Sequence, residues 1–324
     1  MSISDFTISV IVPLYNGALL IERCLDSVFN QAGDYQTEVI VVDDGSTDDS
    51  IALVKAYSHT ITVVQQTNQG PAAARNKGLE LATGTYMAFL DADDYWEPNF
   101  LKQTIGFMET HDVVAVSVGQ IHKISGKPDR VMPQLGHLQE AMDLDGVVLE
   151  DFFAFWATHN HVCTGSVLMR TSIAKQTGGQ RPELRITEDL EFWGYLATFG
   201  SWGFIPKVLF VSDGALVTKN QGWLQKNKKR WQSAPSVEAW QTRIVQHINA
   251  KDTPAFERLR GRIAKNLAYA MILSNRQEQA RQTTLAYGKH YPKDKLAMLL
   301  TACAPYSWLW VVLAKVLGIR EQLR

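Results

Sequence analysis

Tyr86-Met87-Ala88-Phe89-Leu90-Asp91-Ala92-Asp93-Asp94 decides the fold. Its first five residues form an apolar run of strand length, and three carboxylates follow at the point where the strand has to stop. In an open α/β sheet, ligands collect beyond the carboxyl ends of the strands. Hard cations such as Mg²⁺ and Mn²⁺ take oxygen ligands there, often one or two carboxylates together with substrate phosphates. Extended backbone puts Asp91 and Asp93 on one face, so both can converge on one ion. The same tetrapeptide also suits a solvated acidic turn ahead of a helix starting near Pro98, and the flanking sequence has to separate the two readings.

Outward from that stretch, the first 120 residues alternate short apolar runs with helix-like segments. Ile8 to Val12 precedes Leu19 to Asn30, Glu38 to Val42 precedes Asp48 to Tyr57, and Ile61 to Gln65 precedes Pro71 to Leu81. Tyr86 to Leu90 precedes Pro98 to Thr110, and Val113 to Val118 follows. Such a series predicts an α/β fold with a mostly parallel sheet flanked by helices. Asp48 and Asp49 open one helix, and Pro71 sits in the first turn of another, where its missing N–H costs nothing. Val162 to Met169 and Val208 to Val211 are further strand expectations, and Glu188 to Thr198 is a further helix. From Ile121 to Val148 the pattern weakens into a polar stretch, and beyond Gly222 the chain reads as basic amphipathic helices.

Four polar clusters fall at successive strand ends. They are Pro13-Leu14-Tyr15-Asn16, Asp43-Asp44-Gly45-Ser46, Asn68-Gln69-Gly70-Pro71 with Arg75-Asn76 beyond it, and Asp91 to Asp94. Each alone is explained by a turn, a strand terminator or a surface charge. Together with Val10-Ile11-Val12 ahead of the first, Val41-Val42 ahead of the second and Thr47-Asp48 behind it, and Ala74-Arg75-Asn76-Lys77-Gly78, the order and spacing resemble family 2 glycosyltransferases with the GT-A fold. The resemblance covers about residues 6 to 215. It implies inverting transfer from a nucleotide-diphosphate sugar, helped by a divalent Mg or Mn cation. It also implies that Pro13 and Tyr15 line a nucleobase pocket, that Asp44 accepts from a uracil-type base edge, that Arg75 supports that site, and that Asp91 and Asp93 serve the ribose and the metal-diphosphate.

The implied chemistry needs these residue types. Negative charge grows on a diphosphate leaving group as the glycosidic bond breaks, and a cation held by Asp93 stabilises it. Single displacement with inversion then needs a base on the opposite face of the sugar to take the acceptor hydroxyl's proton. Thr187-Glu188-Asp189-Leu190-Glu191, preceded by Gly178-Gly179, supplies a second carboxylate cluster at a helix start. The resemblance makes Asp189 the base, with Glu188 as second choice. Acids in a first helical turn are also favoured by the macrodipole alone. Gly165-Ser166 matches a position beside the sugar-acceptor site in the same family, although packing is enough to demand a small residue there.

The chain has 324 residues, is 46% hydrophobic and 20% charged, and so is expected to bury one or two sizeable cores. Met1 to Thr7 is too short and polar for a secretory leader, and three well-separated cysteines, Cys24, Cys163 and Cys303, suit reduced thiols in a cytosol. The net charge of −1 hides an asymmetry, because residues 219–324 carry 19 Lys+Arg against 6 Asp+Glu. The expected division is therefore a catalytic domain over 1–218 and a basic helical region over 219–324. A basic surface of this kind fits nucleic acid, an anionic membrane or a lipid phosphate. Leu296 to Ile319 is the most apolar stretch, but Pro305 and Lys315 interrupt it, so an interfacial helix at the inner membrane face is expected in place of a span, and nucleic acid is not. A core or dimer helix is the alternative.

Other signals are weaker. His159, His161 and Cys163 have zinc-ligand chemistry, but strand alternation alone would place them together. Trp156, Trp193, Trp223 and Trp231 suit sugar stacking or a core. Asn227-Lys228-Lys229-Arg230-Trp231 is similar to the Gln-x-x-Arg-Trp motif of processive polysaccharide synthases, with Asn in the leading place, and the multiple membrane spans of those enzymes are absent. Transfer of one sugar to a lipid-linked or cell-surface glycan precursor is therefore the expectation. A nucleotidyltransferase would use a similar sheet but needs a Gly-rich, basic phosphate loop after the first strand, which Pro13 to Gly17 does not provide. A catalytically silent nucleotide-sugar-binding protein would not need the acidic clusters.

Overall fold

Thr7–Leu14 (β1) is buried along nearly its whole length, and its two faces do different work. Ile8, Val10, Val12 and Leu14 enter one hydrophobic core, where each contributes about 1.5–3 kcal/mol by burial. Helix α1 (Ile21–Phe29) covers that face with Ile21, Cys24, Leu25 and Val28, the spacing of a single helical stripe. Ile11 faces the other way and meets α3 (Pro71–Leu81) at Gly78, where an added Cβ would lie 2.3 Å from the Ile11 side chain. Any larger residue at Gly78 would push the helix off the strand, at a cost of about 1–3 kcal/mol.

The computed structural model describes residues 7–123, 128–136, 145–213 and 223–322. The leader reading at 1–6, much of the polar stretch between 121 and 148, and the division expected at 218/219 fall wholly or partly outside them. In chain order after β1 come β2 (Gln36–Asp43), β3 (Thr62–Gln65), β4 (Tyr86–Phe89), β5 (Tyr95–Trp96), β6 (Ala115–His122), β7 (Arg130–Met132), β8 (Val147–Val148), β9 (Val167–Arg170) and β10 (Trp202–Ser212). Helix α2 (Ser50–Ala56) follows β2, and α4 (Phe100–Thr110) follows β5. The sheet runs β3-β2-β1-β4-β9-β6-β10-β5, with β7 on β6 and β8 on β10.

The first four strands in that order are parallel, as the alternating pattern predicts. Beyond β4 the sheet becomes mixed. β9 inserts antiparallel between β4 and β6, so strands consecutive in the sequence pattern are not neighbours in space. The strand expected over Val162–Met169 is confined to Val167–Arg170, because Gly165 turns the chain at φ 93° just before it. β10 is longer than expected, eleven residues instead of four, and carries register shifts around Pro206.

The contacts divide the chain into two units. The first holds residues 1–152, 159–182 and 192–219, and contains the whole sheet. The second holds residues 153–158, 183–191 and 220–324. Its axis is the 21-residue helix Thr253–Leu273. Phe256 on that helix stacks on Trp240 and meets Phe153 edge-on, and Gly261 allows the His290 carbonyl to approach where a Cβ would clash.

Candidate active site

The loops leaving β1 and β2 are stitched to one another. Asn16 adopts φ 51°, a left-handed conformation that Asn tolerates better than most residues. Its backbone N–H donates to Ser46 Oγ at 3.0 Å, and its side-chain oxygen accepts from the Thr47 N–H at 2.8 Å. Gly17 N donates to Ser50 Oγ and Ala18 N to Asp48 Oδ2, so the first turn of α2 anchors the β1 loop as well. Pro13 pairs in register with Val42, and Tyr15 stands 53% exposed at the mouth of these loops.

Asp43 and Asp44 have separate tasks. Asp43 Oδ1 accepts the Ser46 N–H, which closes the turn around Gly45 at φ 81°. Asp44 is buried and reaches the loop after β3, where its carboxylate accepts from Gln69 N, Gly70 N and Gln66 Nε2, each at 2.8 Å. It thereby satisfies N–H groups at the start of α3. A carboxylate offers about four acceptor sites, so one position on Oδ2 stays available to a ligand donor.

Arg75, buried on α3, donates to Asp91 Oδ1 at 2.6 Å. Its other terminal nitrogen donates to Gln180 Oε1 at 3.3 Å. Gln180 is in turn fixed to α3 by a reciprocal main-chain pair with Asn76, whose Oδ1 accepts Gln180 N–H and whose Nδ2 donates to the Gln180 carbonyl, both at 2.8 Å. Gly179, at φ 85°, makes this possible because a Cβ there would sit 2.5 Å from Asn76 Oδ1. The Gly178-Gly179 pair thus serves local geometry.

The acidic turn is buttressed from behind. Arg23 donates to the Asp93 carbonyl at 2.8 Å and to Asp213 Oδ2 at 2.6 Å, and lies over the Tyr95 ring. Asp94 Oδ1 accepts the Asp213 N–H at 2.9 Å, so Asp94 ties the turn to the end of β10. Burial, then the negative charge of Asp91, raises the Asp93 carboxyl to about 6. Burial and the charges of Asp91 and Asp93 also push Asp94 well above the usual carboxylate range. Carboxylates so crowded favour a cation close by.

Among the described residues no group of three or more His, Cys, Asp or Glu is placed to hold a metal by itself. The donor set nonetheless fits a hard cation that takes one or two carboxylates from the protein and the rest from phosphate and water. Asp93 suits that role best, since one Asp91 oxygen is engaged by Arg75.

Asp189 belongs to the second unit, in the first turn of the helix Glu188–Leu196. Its Oδ1 accepts the Leu190 N–H at 2.8 Å, and the side chain is partly exposed. Glu188 is buried. Glu191, fully buried, takes a fork-to-fork pair from Arg243, with Nε at 2.7 Å and Nη2 at 2.5 Å. That pairing gives Glu191 a structural part and separates it from Asp189.

Several sequence signals resolve into packing. His161 is fully buried with Nδ1 2.8 Å from Ser117 Oγ, while the half-buried His159 lies beside the Gln134 carbonyl with Nδ1 at 3.2 Å, so the two imidazoles have separate partners. Trp156 and Trp193 are core residues. Gly165 is needed because a Cβ would meet the Phe210 ring at 2.3 Å. Conversely, Arg23, Gln180 and Asp213 were not singled out by sequence, and the Gly178-Gly179 pair ahead of Gln180 is the only local hint of any of them.

The sequence profile of Glycosyl transferase family 2 matches residues 9–176, just over half of the chain. The chain belongs to this family. It is 38% identical over 113 residues to the uncharacterized glycosyltransferase YibD of Escherichia coli (strain K12), covering 34% of this chain and 32% of that one. It is 35% identical over 128 residues to the poly(ribitol-phosphate) beta-glucosyltransferase of Bacillus spizizenii, covering 37% and 20%. Matched segments therefore span about a third or less of these two relatives.

Among solved structures, TarS of S. aureus superposes with TM-score 0.60 at 20% identity, over 95% of this chain and 54% of that chain. The mannosyltransferase PcManGT of Pyrobaculum calidifontis, in complex with GDP-Man and Mn²⁺, gives TM-score 0.57 at 21% identity over 98% and 88%. The fold is therefore GT-A, as the sequence resemblance implies.

Proposed function

We propose that this protein moves one sugar, with inversion, from a nucleotide-diphosphate sugar to a hydroxyl of a lipid-linked or cell-surface glycan precursor at the cytoplasmic face of a membrane. The observation that carries the reading is the Arg75–Asp91 pair at the carboxyl end of β4, two residues from Asp93 and level with the ends of β1 and β2. Tyr15 and Pro13 take the base of the donor, and the remaining acceptor site on Asp44 takes a base N–H, which favours a UDP-linked donor. Asp91 orients the ribose side, with Arg75 holding its carboxylate in place. Asp93 holds the divalent Mg²⁺ or Mn²⁺, which when bound neutralises charge on the departing diphosphate. Asp189 removes the acceptor hydroxyl's proton.

The Mn²⁺ and GDP-Man of PcManGT, and the UDP-GlcNAc of a TarS complex that matches over 89% of this chain and 93% of that one at TM-score 0.53, support a nucleotide-sugar donor and a cation for this fold. The deciding experiment offers UDP-, GDP- and dTDP-sugars with a lipid extract as acceptor and identifies the nucleotide product. Nucleoside diphosphate release that depends on the acceptor supports transfer. Release of pyrophosphate would instead indicate a nucleotidyltransferase.

A further inference from the structure

The helix Ser307–Gln322 is apolar on two opposite faces. Trp310, Leu313 and Leu317 pack inward, and the indole N–H of Trp310 donates to the Cys303 carbonyl at 3.0 Å. This stripe accounts for docking against the helices Gln277–Tyr287 and Thr253–Leu273. On the other side Trp308, Val311, Val312, Val316 and Ile319 are all exposed. At 100° per residue these five cluster about one line on the helix, opposite the buried stripe. A helix that is apolar all round is ordinarily enclosed, and here half of it is left to solvent.

The patch extends beyond one helix. Lys295–Cys303 buries Ala297, Leu300 and Cys303 and leaves Met298, 69% exposed, and Leu299 outward. Tyr306, in the connection, is exposed next to Trp308, which is 65% exposed. No helix of the described residues is long and apolar enough to cross a membrane, so the surface lies on something and does not span it.

Its charges say what it lies on. Lys289, Lys293, Lys295 and Lys315 are exposed on or beside these elements. The acids of these two helices and their connections are Asp294, engaged by Lys265 at 2.5 Å and by the Ala297 N–H at 2.9 Å, and Glu321, which follows Arg320 in sequence. Lys315 stands within the outward apolar stripe, where its methylene stem can lie along apolar material while the ammonium reaches a headgroup. A second copy of this chain fits less well. A two-fold contact through this face would gather the lysines of both copies into one interface, and like charges would be drawn out of water.

We propose that the outward face of Met298, Leu299, Tyr306, Trp308, Val312 and Ile319, with Lys295 and Lys315, is a docking surface for anionic phospholipid. The side chains enter the headgroup region in the plane of the membrane, aromatic rings at the boundary and ammonium groups on lipid phosphate. This rests on the reading of a membrane-linked acceptor, and it names the surface that brings the enzyme there. One amphipathic surface with a handful of lysines gives reversible, salt-sensitive attachment.

The test is co-sedimentation of the full chain with vesicles of phosphatidylcholine alone and of equal parts phosphatidylcholine and phosphatidylglycerol. The expected result is binding to the anionic vesicles, weak binding to the neutral ones, and loss of at least about tenfold in affinity for Val312→Ser combined with Ile319→Ser. Lys295→Glu combined with Lys315→Glu should cost a similar factor at low salt and less at high salt. All four positions are exposed, so circular dichroism should show each variant folded. Equal binding by wild type and the serine variant overturns the proposal, as does equal binding to both vesicle types. A wild-type dimer in sedimentation equilibrium that ignores vesicles, and that the serine variant dissolves, assigns the face to a second copy instead. Nucleotide binding measured by calorimetry without vesicles reports separately on the glycosyltransferase site.

Discussion

Arg75 on α3 and Asp91 just beyond β4, sixteen residues apart, meet at 2.6 Å, with Arg75 almost wholly buried. The guanidinium is committed twice, to Asp91 and to Gln180, and this divided grip is what a lysine could not reproduce. Arg75→Lys is expected to keep the charge and lose the fork, weakening nucleotide binding about tenfold as read by calorimetry. Arg75→Met leaves the partly exposed Asp91 without its cation and should also lower the melting temperature. Unchanged binding in both variants would remove Arg75 from the donor site.

Asp189→Asn should reduce turnover by about 10²–10⁴-fold, the range for a lost general base, while donor affinity stays near wild type. Glu188→Gln is the control, expected to cost less in turnover and more in stability because Glu188 is buried. Full activity in Asp189→Asn would reassign the base.

Removing divalent cations with a chelator should abolish transfer, and Mn²⁺ or Mg²⁺ should restore it. Asp93→Asn should raise the metal concentration needed for half-maximal rate by more than tenfold, while leaving the secondary structure seen by circular dichroism unchanged. Transfer that survives exhaustive chelation would leave Asp91 and Asp93 with a purely protein-internal part.

Glu38 supplies a pH signature unrelated to catalysis. Burial pushes its carboxyl up, but hydrogen bonds from Ser9 Oγ, Thr83 N and Thr83 Oγ1 outweigh this and bring it below its usual 4.5. A folded value below the unfolded one means stabilisation that is complete above about 4.5 and is lost as pH falls through the lowered folded value. Urea midpoints for Glu38→Gln should therefore lie below wild type at neutral pH, with the gap closing on acidification below about 4.5. A gap that is constant with pH would mean that the carboxylate's charge is irrelevant to the β1–β2 link.

What sequence could and could not reveal follows from the range of the interactions. The parallel half of the sheet was legible because each strand and its following helix are adjacent in the chain, and each strand end carries its own polar residues. Asp44 and Arg75 stood out in the sequence as candidate site residues, yet not as partners of Gly70 and Gln180. The second of these contacts spans 105 residues, and no local pattern encodes it. The antiparallel placement of β9 was hidden for the same reason, since the four residues Val167–Arg170 say nothing of which strands they will separate. In β10, Gly203 and Pro206 broke the apolar run and concealed most of its length.

The Asn16 cross-link has a further consequence. Its backbone and side chain bind Ser46 and Thr47, and Gly17 and Ala18 bind the α2 start, so the β1 loop bearing Tyr15 and the β2 loop bearing Asp44 form one preorganised body. The conformational freedom of these loops is given up when the chain folds and not when a ligand arrives. If Tyr15 takes the donor's base, as proposed, a planar ring settling there would meet loops already fixed in place, with little loop-ordering cost to its affinity.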